Sequence, residues 1–112
     1  MKTFENTCAQ GDILIQRIDS LPEGLTEVAP QGDRLIVTHS ETGHHHVMAR
    51  QTAAMYRLPE EIYECFLVVK EPTALEHLRP HDTHEPIMFQ PGTYRVRRQR
   101  EYTPEGLRRV ED

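Results

Sequence analysis

The sequence predicts an all-β fold: a small single-domain β-barrel or jelly-roll-like sandwich with a short C-terminal helical turn. Three observations lead there. Apolar residues alternate with polar ones in short stretches, Pro and Gly punctuate those stretches, and little of the chain reads as helix. The length of 112 residues suits one domain, residues 1–112, that builds a single core without staples.

The elements follow in order. "GDILIQRID" (11–19) alternates Ile13, Ile15 and Arg17 against Leu14, Gln16 and Ile18 behind a Gly-Asp entrance, which makes a strand. "SLPEGLTEVAPQG" (20–32) holds two prolines and two glycines and forms a loop with at most one short element. "DRLIVTH" (33–39) is a second strand, "SETG" (40–43) a turn, and "HHHVMAR" (44–50) a third strand. "AAMYRL" (53–58) is a fourth, ended by Pro59. "IYECFLVVK" (62–70) carries the strongest strand signal, being rich in β-branched and aromatic residues. "EPTALEHLRP" (71–80) fits either a strand or a helical turn. "EPIMFQPGTYRVRRQREY" (85–102) reads as strand, Pro-Gly turn, strand. Thr103-Pro104-Glu105 then suits a helix start, with Thr at the N-cap and Pro at the first helical position, although Gly106 keeps it to one or two turns.

Composition narrows the function classes. A net charge of −5 disfavours general attraction to nucleic acid or to an anionic membrane, and neither is expected as a partner. Trp is absent and aromatics are few, so stacking platforms for bases or sugars are not expected. No apolar run approaches the ~20 residues that span a bilayer, and residues 1–6 lack the apolar stretch of a secretory signal, so a cytoplasmic protein is expected. Cys8 and Cys65 lie outside any Cys-x-x-Cys spacing and read as free, partly buried thiols.

The chemistry gathers on histidine. Seven histidines form two clusters: His39, His44, His45 and His46, then His77, His81 and His84. If residues 44–50 form a strand, His44 and His46 share a face and His45 points away. Two imidazoles on one strand face can converge on one ion, each nitrogen ~2.0–2.1 Å from a zinc-like metal. "HDTHEP" supplies a second element, with His81 and His84 on a turn favoured by Asp82, Thr83 and Pro86. His77 is an alternative ligand if residues 73–79 form the neighbouring strand. Glu41, Asp82 and Glu85 lie close in sequence; each suits a fifth ligand or an outer-shell partner, and Glu41 and Asp82 are the candidate catalytic bases. Nitrogen ligation suits a transition metal ion such as zinc, iron or nickel. The opposing interpretation is a solvated histidine-rich turn.

Two resemblances rest on these residues. Gly43-His44-His45-His46 followed later by "MFQPGTYRV" (88–96) resembles the cupin superfamily of small jelly-roll barrels, which implies a metal held by histidines of two motifs. No Glu follows His46 at the short distance cupins use, and Tyr94 and Arg95 stand where a ligand His would be. Thr42-Gly43-His44 with His46, His81 and His84 with Pro86-Ile87, and Pro91-Gly92 through Tyr102 resemble a family of small bacterial His-motif proteins over nearly the whole chain. That resemblance implies a shared site of His44, His46, His81 and His84, ahead of His39, His45 and His77.

"YRVRRQREY" (94–102), taken as one regular strand, sets Arg98 and Arg100 on the face of Tyr94 and Val96, with Arg95 and Arg97 opposite. Arg98 and Arg100 are candidates to hold a carboxylate or phosphate at a pocket mouth; a solvated face balanced by acidic neighbours is the plainer interpretation. The sequence therefore predicts a metal-binding β-barrel that acts on or senses a small anionic molecule. Its rival is a non-catalytic accessory protein whose histidines are structural or solvated. A homodimer that covers edge strands fits either case.

Overall fold

Side chains along a strand alternate between the two faces of its sheet, and burial in this protein follows that rhythm. In the computed structural model, which describes residues 2–10, 13–38, 45–59, 61, 63–77, 86–98, 100–103 and 106–109, thirteen strands account for the regular structure. They are β1 (Lys2–Thr3), β2 (Thr7–Gln10), β3 (Ile13–Ile18), β4 (Thr26–Glu27), β5 (Arg34–Thr38), β6 (His46–Ala49), β7 (Ala53–Arg57), β8 (Glu64–Val69), β9 (Thr73–His77), β10 (Ile87–Phe89), β11 (Gly92–Arg98), β12 (Arg100–Thr103) and β13 (Gly106–Arg109). The all-β class is as expected. The ambiguous segment 71–80 resolves as strand β9, and the N-terminal strands β1 and β2 had no clear signal in the sequence. Among the described residues no helix is long and apolar enough to cross a membrane.

Two sheets form a sandwich, with orders β1-β10-β9-β6-β5 and β2-β3-β11-β8-β7-β4. Pairing is antiparallel except between β1 and β10. The inner faces supply one apolar cluster, with Leu35, Val37, Met48, Leu75, Ile87 and Phe89 from one sheet. Ile13, Ile15, Met55, Cys65, Leu67, Tyr94 and Val96 come from the other. Each such fully buried aliphatic contributes roughly 1.5–3 kcal/mol by leaving water.

Five links carry the chain between the sheets, β1 to β2, β4 to β5, β6 to β7, β8 to β9 and β10 to β11, and the last three, each short, lie at one end. Ala53 and Gly92 both pair with Val69, and Thr73 pairs with Phe89. The Thr73 hydroxyl meets the Thr52 hydroxyl at 2.5 Å, and Lys70 N donates to Thr52 O at 2.8 Å. This crossover end is stitched by its own hydrogen bonds. The expected Pro91-Gly92 turn lies between two strands, β10 and β11, and it joins strands of different sheets. The opposite end holds the starts of β3 and β6 and the ends of β2, β5, β9 and β11.

A correction concerns the tail. Residues 100–103 and 106–109 do not start a helix; they pair as an antiparallel hairpin, Arg100 opposite Arg109 and Thr103 opposite Gly106. A glycine costs a helix about 1 kcal/mol, so Gly106 works against the helical turn.

Arg17 clamps the last crossover. Its Nε donates to Glu5 O at 3.0 Å, Nη1 to Pro91 O at 3.3 Å and Nη2 to the Tyr94 hydroxyl at 2.7 Å. That hydroxyl donates in turn to Gln90 O at 2.6 Å. Tyr94 also packs its ring against Phe89 and Phe4, with centroids 4.6 and 5.6 Å away. Gly92 sits beneath the guanidinium at φ +157°, where an added Cβ would lie 2.5 Å from Arg17 Nη1. Gly92→Ala is expected to destabilise the fold by about 1–3 kcal/mol in urea denaturation. Combining it with Arg17→Ala should recover part of that loss if the clash is the cause.

Candidate functional site

β6 begins and β9 ends at the end of the sandwich away from the crossovers, and their terminal histidines are partners across the strand pair, His46 opposite His77. Both rings face inward, 1 % and 3 % exposed. Neighbouring β5 carries a bulge: Ile36 pairs with Val47, and the next pair is Thr38 with His46. Two successive residues, Val37 and Thr38, therefore oppose one, which brings Thr38 onto the inner face beside His46. On the facing sheet Arg98 pairs with Ile13 and Ile13 with Gln10, so these three form one row across β11, β3 and β2.

Gln10 joins the two sheets. Its side-chain amide donates from Nε2 to Leu75 O at 3.1 Å, and its Oε1 lies 2.8 Å from His46 Nδ1. Leu75 O can only accept, so the amide nitrogen must face it and the amide oxygen must face the imidazole. An oxygen there requires a proton on His46 Nδ1. In the neutral ring the lone pair is then on Nε2. This is the arrangement in which a metal-ligating histidine is held, with its other N–H given to an oxygen acceptor. It equally suits a base whose accepting nitrogen is preset.

The two imidazoles stack, with centroids 4.1 Å apart and planes within 8°. An imidazole lone pair lies in the ring plane, so two nearly parallel rings cannot both aim at one ion. In this arrangement one of the pair, not both, can ligate a given metal. Among the described residues no three His, Cys, Asp or Glu side chains are grouped to hold a metal ion. Further ligands would have to come from residues 39–44 and 78–85, which adjoin His45 and His77 in the chain.

His39, Glu41, His44, His81, Asp82 and His84, among the predicted site residues, lie outside the described residues, as does Glu85. His46 is inward, as alternation requires, and His77 does occupy the neighbouring strand, on the condition set for it as an alternative ligand. His45 precedes β6 and is half-buried. Arg98 is half-buried at the end of β11, whereas Arg100 opens β12 in a separate two-stranded sheet. The single Arg-rich strand is thus two strands. Arg95 and Arg97 on its outer face meet Glu64 of β8 at 2.7 and 3.5 Å, the solvated and balanced arrangement, in which such pairs contribute ~0–1 kcal/mol.

Gln10, Thr38 and Arg57 had no sequence signal, because each owes its place to the opposite sheet or to the bulge. Arg57 of β7 reaches between the sheets, and its Nη2 donates to Val37 O at 3.5 Å. Cys8 and Cys65 are free. Cys65 is buried beside Arg57, and its thiol donates to Val37 O at 3.6 Å. Burial pushes this thiol up to about 12, only partly offset by the Arg57 guanidinium, so it is no nucleophile at neutral pH.

The family model described as Domain of unknown function (DUF8820) matches residues 9–99, and the chain belongs to that family. No curated protein and no solved structure matches the chain.

Two measurements follow from this geometry. Gln10→Leu removes the partner of both Leu75 O and His46 Nδ1, and urea denaturation should show a loss of about 2–4 kcal/mol, whereas Gln16→Leu on the same sheet should cost far less. Cys65 sets a pH dependence. Below its ordinary 9.0 the thiol is protonated in both states and has no effect. Above 9.0 the unfolded chain releases a proton that the folded chain keeps until about 12, so stability falls as pH rises through that window. The slope is up to about 1.4 kcal/mol per pH unit, and Cys65→Ala should flatten it in a denaturation series from pH 8.5 to 10.5.

Proposed function

We propose that this DUF8820 chain is a metal-binding β-sandwich protein that holds one transition metal ion, zinc, iron or nickel, at the histidine end. The observation that carries this reading is the Leu75–Gln10–His46 relay, which keeps the proton of a buried imidazole on Nδ1 and so leaves its lone pair on Nε2. His44, His81 and His84 are the further ligands, on segments that join the chain beside the paired His46 and His77. His77 takes the place of one of them if the stack opens. A bound ion would supply Lewis acidity for polarising a small anionic molecule or activating water. Arg98 and Arg100 are assigned to that molecule's charge, and Glu41 or Asp82 to proton transfer. A cytoplasmic setting and a homodimer formed through sheet edges belong to the same proposal.

A second reading has its own observation. The parallel stack of His46 and His77 suits a structural pair in a non-catalytic accessory protein, satisfied by hydrogen bonds and holding no metal.

Elemental analysis of untagged protein dialysed against a weak chelator separates the two. About one equivalent of metal is expected, and a folded, metal-free protein overturns the leading reading. His44→Ala and His84→Ala should each lose the ion. With an open site the fold largely survives, whereas a closed structural site predicts a large drop in Tm. Gln10→Met, which keeps the volume but removes the acceptor, should weaken metal affinity about 10–100-fold.

A further inference from the structure

Arg57 is left over from the site described so far, and it is an expensive side chain to leave. It lies on the inner side of β7, after the buried Ala53 and Met55, and crosses the space between the sheets to Val37 O. Its Nε is fully enclosed and has no hydrogen-bond partner among the described residues. Among the described residues no carboxylate pairs with it either. Glu64, the acid that answers the arginines of β11, is on the outer face of the next strand, turned toward Arg95 and Arg97. Among the described residues Arg57 meets the Val37 carbonyl and the neutral Cys65 thiol, neither of which balances a guanidinium charge. Arg57 as a whole is half-buried, so the cost lies in its enclosed Nε–H, and an enclosed donor is favourable only where an acceptor meets it.

Thr38 is the second, independent observation. The bulge in β5 turns it inward next to Val37, and its Oγ1 is likewise enclosed without a partner among the described residues. The guanidinium that reaches Val37 O and the hydroxyl of the next residue, Thr38, therefore each hold an enclosed donor, Nε–H and Oγ1–H, without an acceptor among the described residues. The group that answers both is an anionic oxygen pair: one oxygen accepts from Arg57 Nε–H and the other from Thr38 Oγ1–H.

We infer that the inner wall beside Val37 binds the carboxylate or phosphate group of a small molecule, through Arg57 and Thr38. This deepens the proposed function by naming its ligand class and a residue that receives it, but Arg57 and Thr38 act without the ion. The anion site can therefore be tested on its own, in chelator-treated protein.

The test is thermal unfolding of chelator-treated protein titrated with sodium acetate or with sodium phosphate, each against sodium chloride at equal ionic strength. One of the two should raise Tm in a saturable way, as a ligand of the folded state must, and which one does so separates carboxylate from phosphate. Arg57→Gln should abolish the response. Arg57→Lys keeps the charge but loses the Nε–H, and Thr38→Val loses the hydroxyl; each should weaken binding about tenfold or more. In chloride alone Arg57→Met should stay close to the native protein in stability, because the enclosed, unanswered Nε–H goes with the lost Val37 contact. No response to either anion in the native protein overturns the inference. An unchanged response in Arg57→Gln overturns it as well, and if that variant does not fold, unchanged binding in both Arg57→Lys and Thr38→Val does the same. Loss of metal stoichiometry with the anion response intact would count against the metal reading alone.

Discussion

The hydrogen-bond relay from Leu75 O through Gln10 to His46 is the interaction on which the histidine end depends. A β-sandwich is held by apolar inner faces, and polar groups placed between them must be answered locally, because water cannot reach them. Gln10 does this for two groups at once, a backbone carbonyl and an imidazole of the opposite sheet. In doing so it ties the edge strand β2 of one sheet to the central strands β6 and β9 of the other. It also selects the tautomer of His46, so a packing requirement and a chemical assignment are met by the same amide.

The two ends of the sandwich divide the work. At the crossover end short turns between the sheets are pinned by Thr52, Thr73 and the Arg17–Tyr94 clamp. Nothing there is chemically unusual for a β protein beyond tight packing. At the histidine end the inner faces change character over a few residues, from Val37, Leu75 and Val96 to Thr38, His46, His77, Gln10 and Arg98. A polar lining held by rigid strands at the end of a sandwich is a common place for a small-molecule site.

The legible parts of the sequence were those governed by period two. Ile13 and Ile15, Cys65 and Leu67, and Tyr94 and Val96 alternate in sequence and are buried in the structure. The same rhythm turned His46 inward. It failed where a local rule competed with a neighbour: Thr103-Pro104 carries a good helix-start pattern, yet the segment finds a hairpin partner instead. It also failed over the arginines, because a continuous alternation hides the break after Arg98 that sends Arg100 into another sheet.

By itself the sequence determined the class of the fold, most strands and the residue types at the site, since these follow from periodicity, turn residues and composition. The pairing of His46 with His77 needed the register between β6 and β9, which are 27 residues apart between their first residues. Gln10 and Arg57 acquired their partners only when two sheets closed face to face. The inward turn of Thr38 came from one extra residue in β5, a bulge that shifts every later side chain to the other face. Contacts of that kind depend on where another strand comes to lie, and strand alternation carries no record of it.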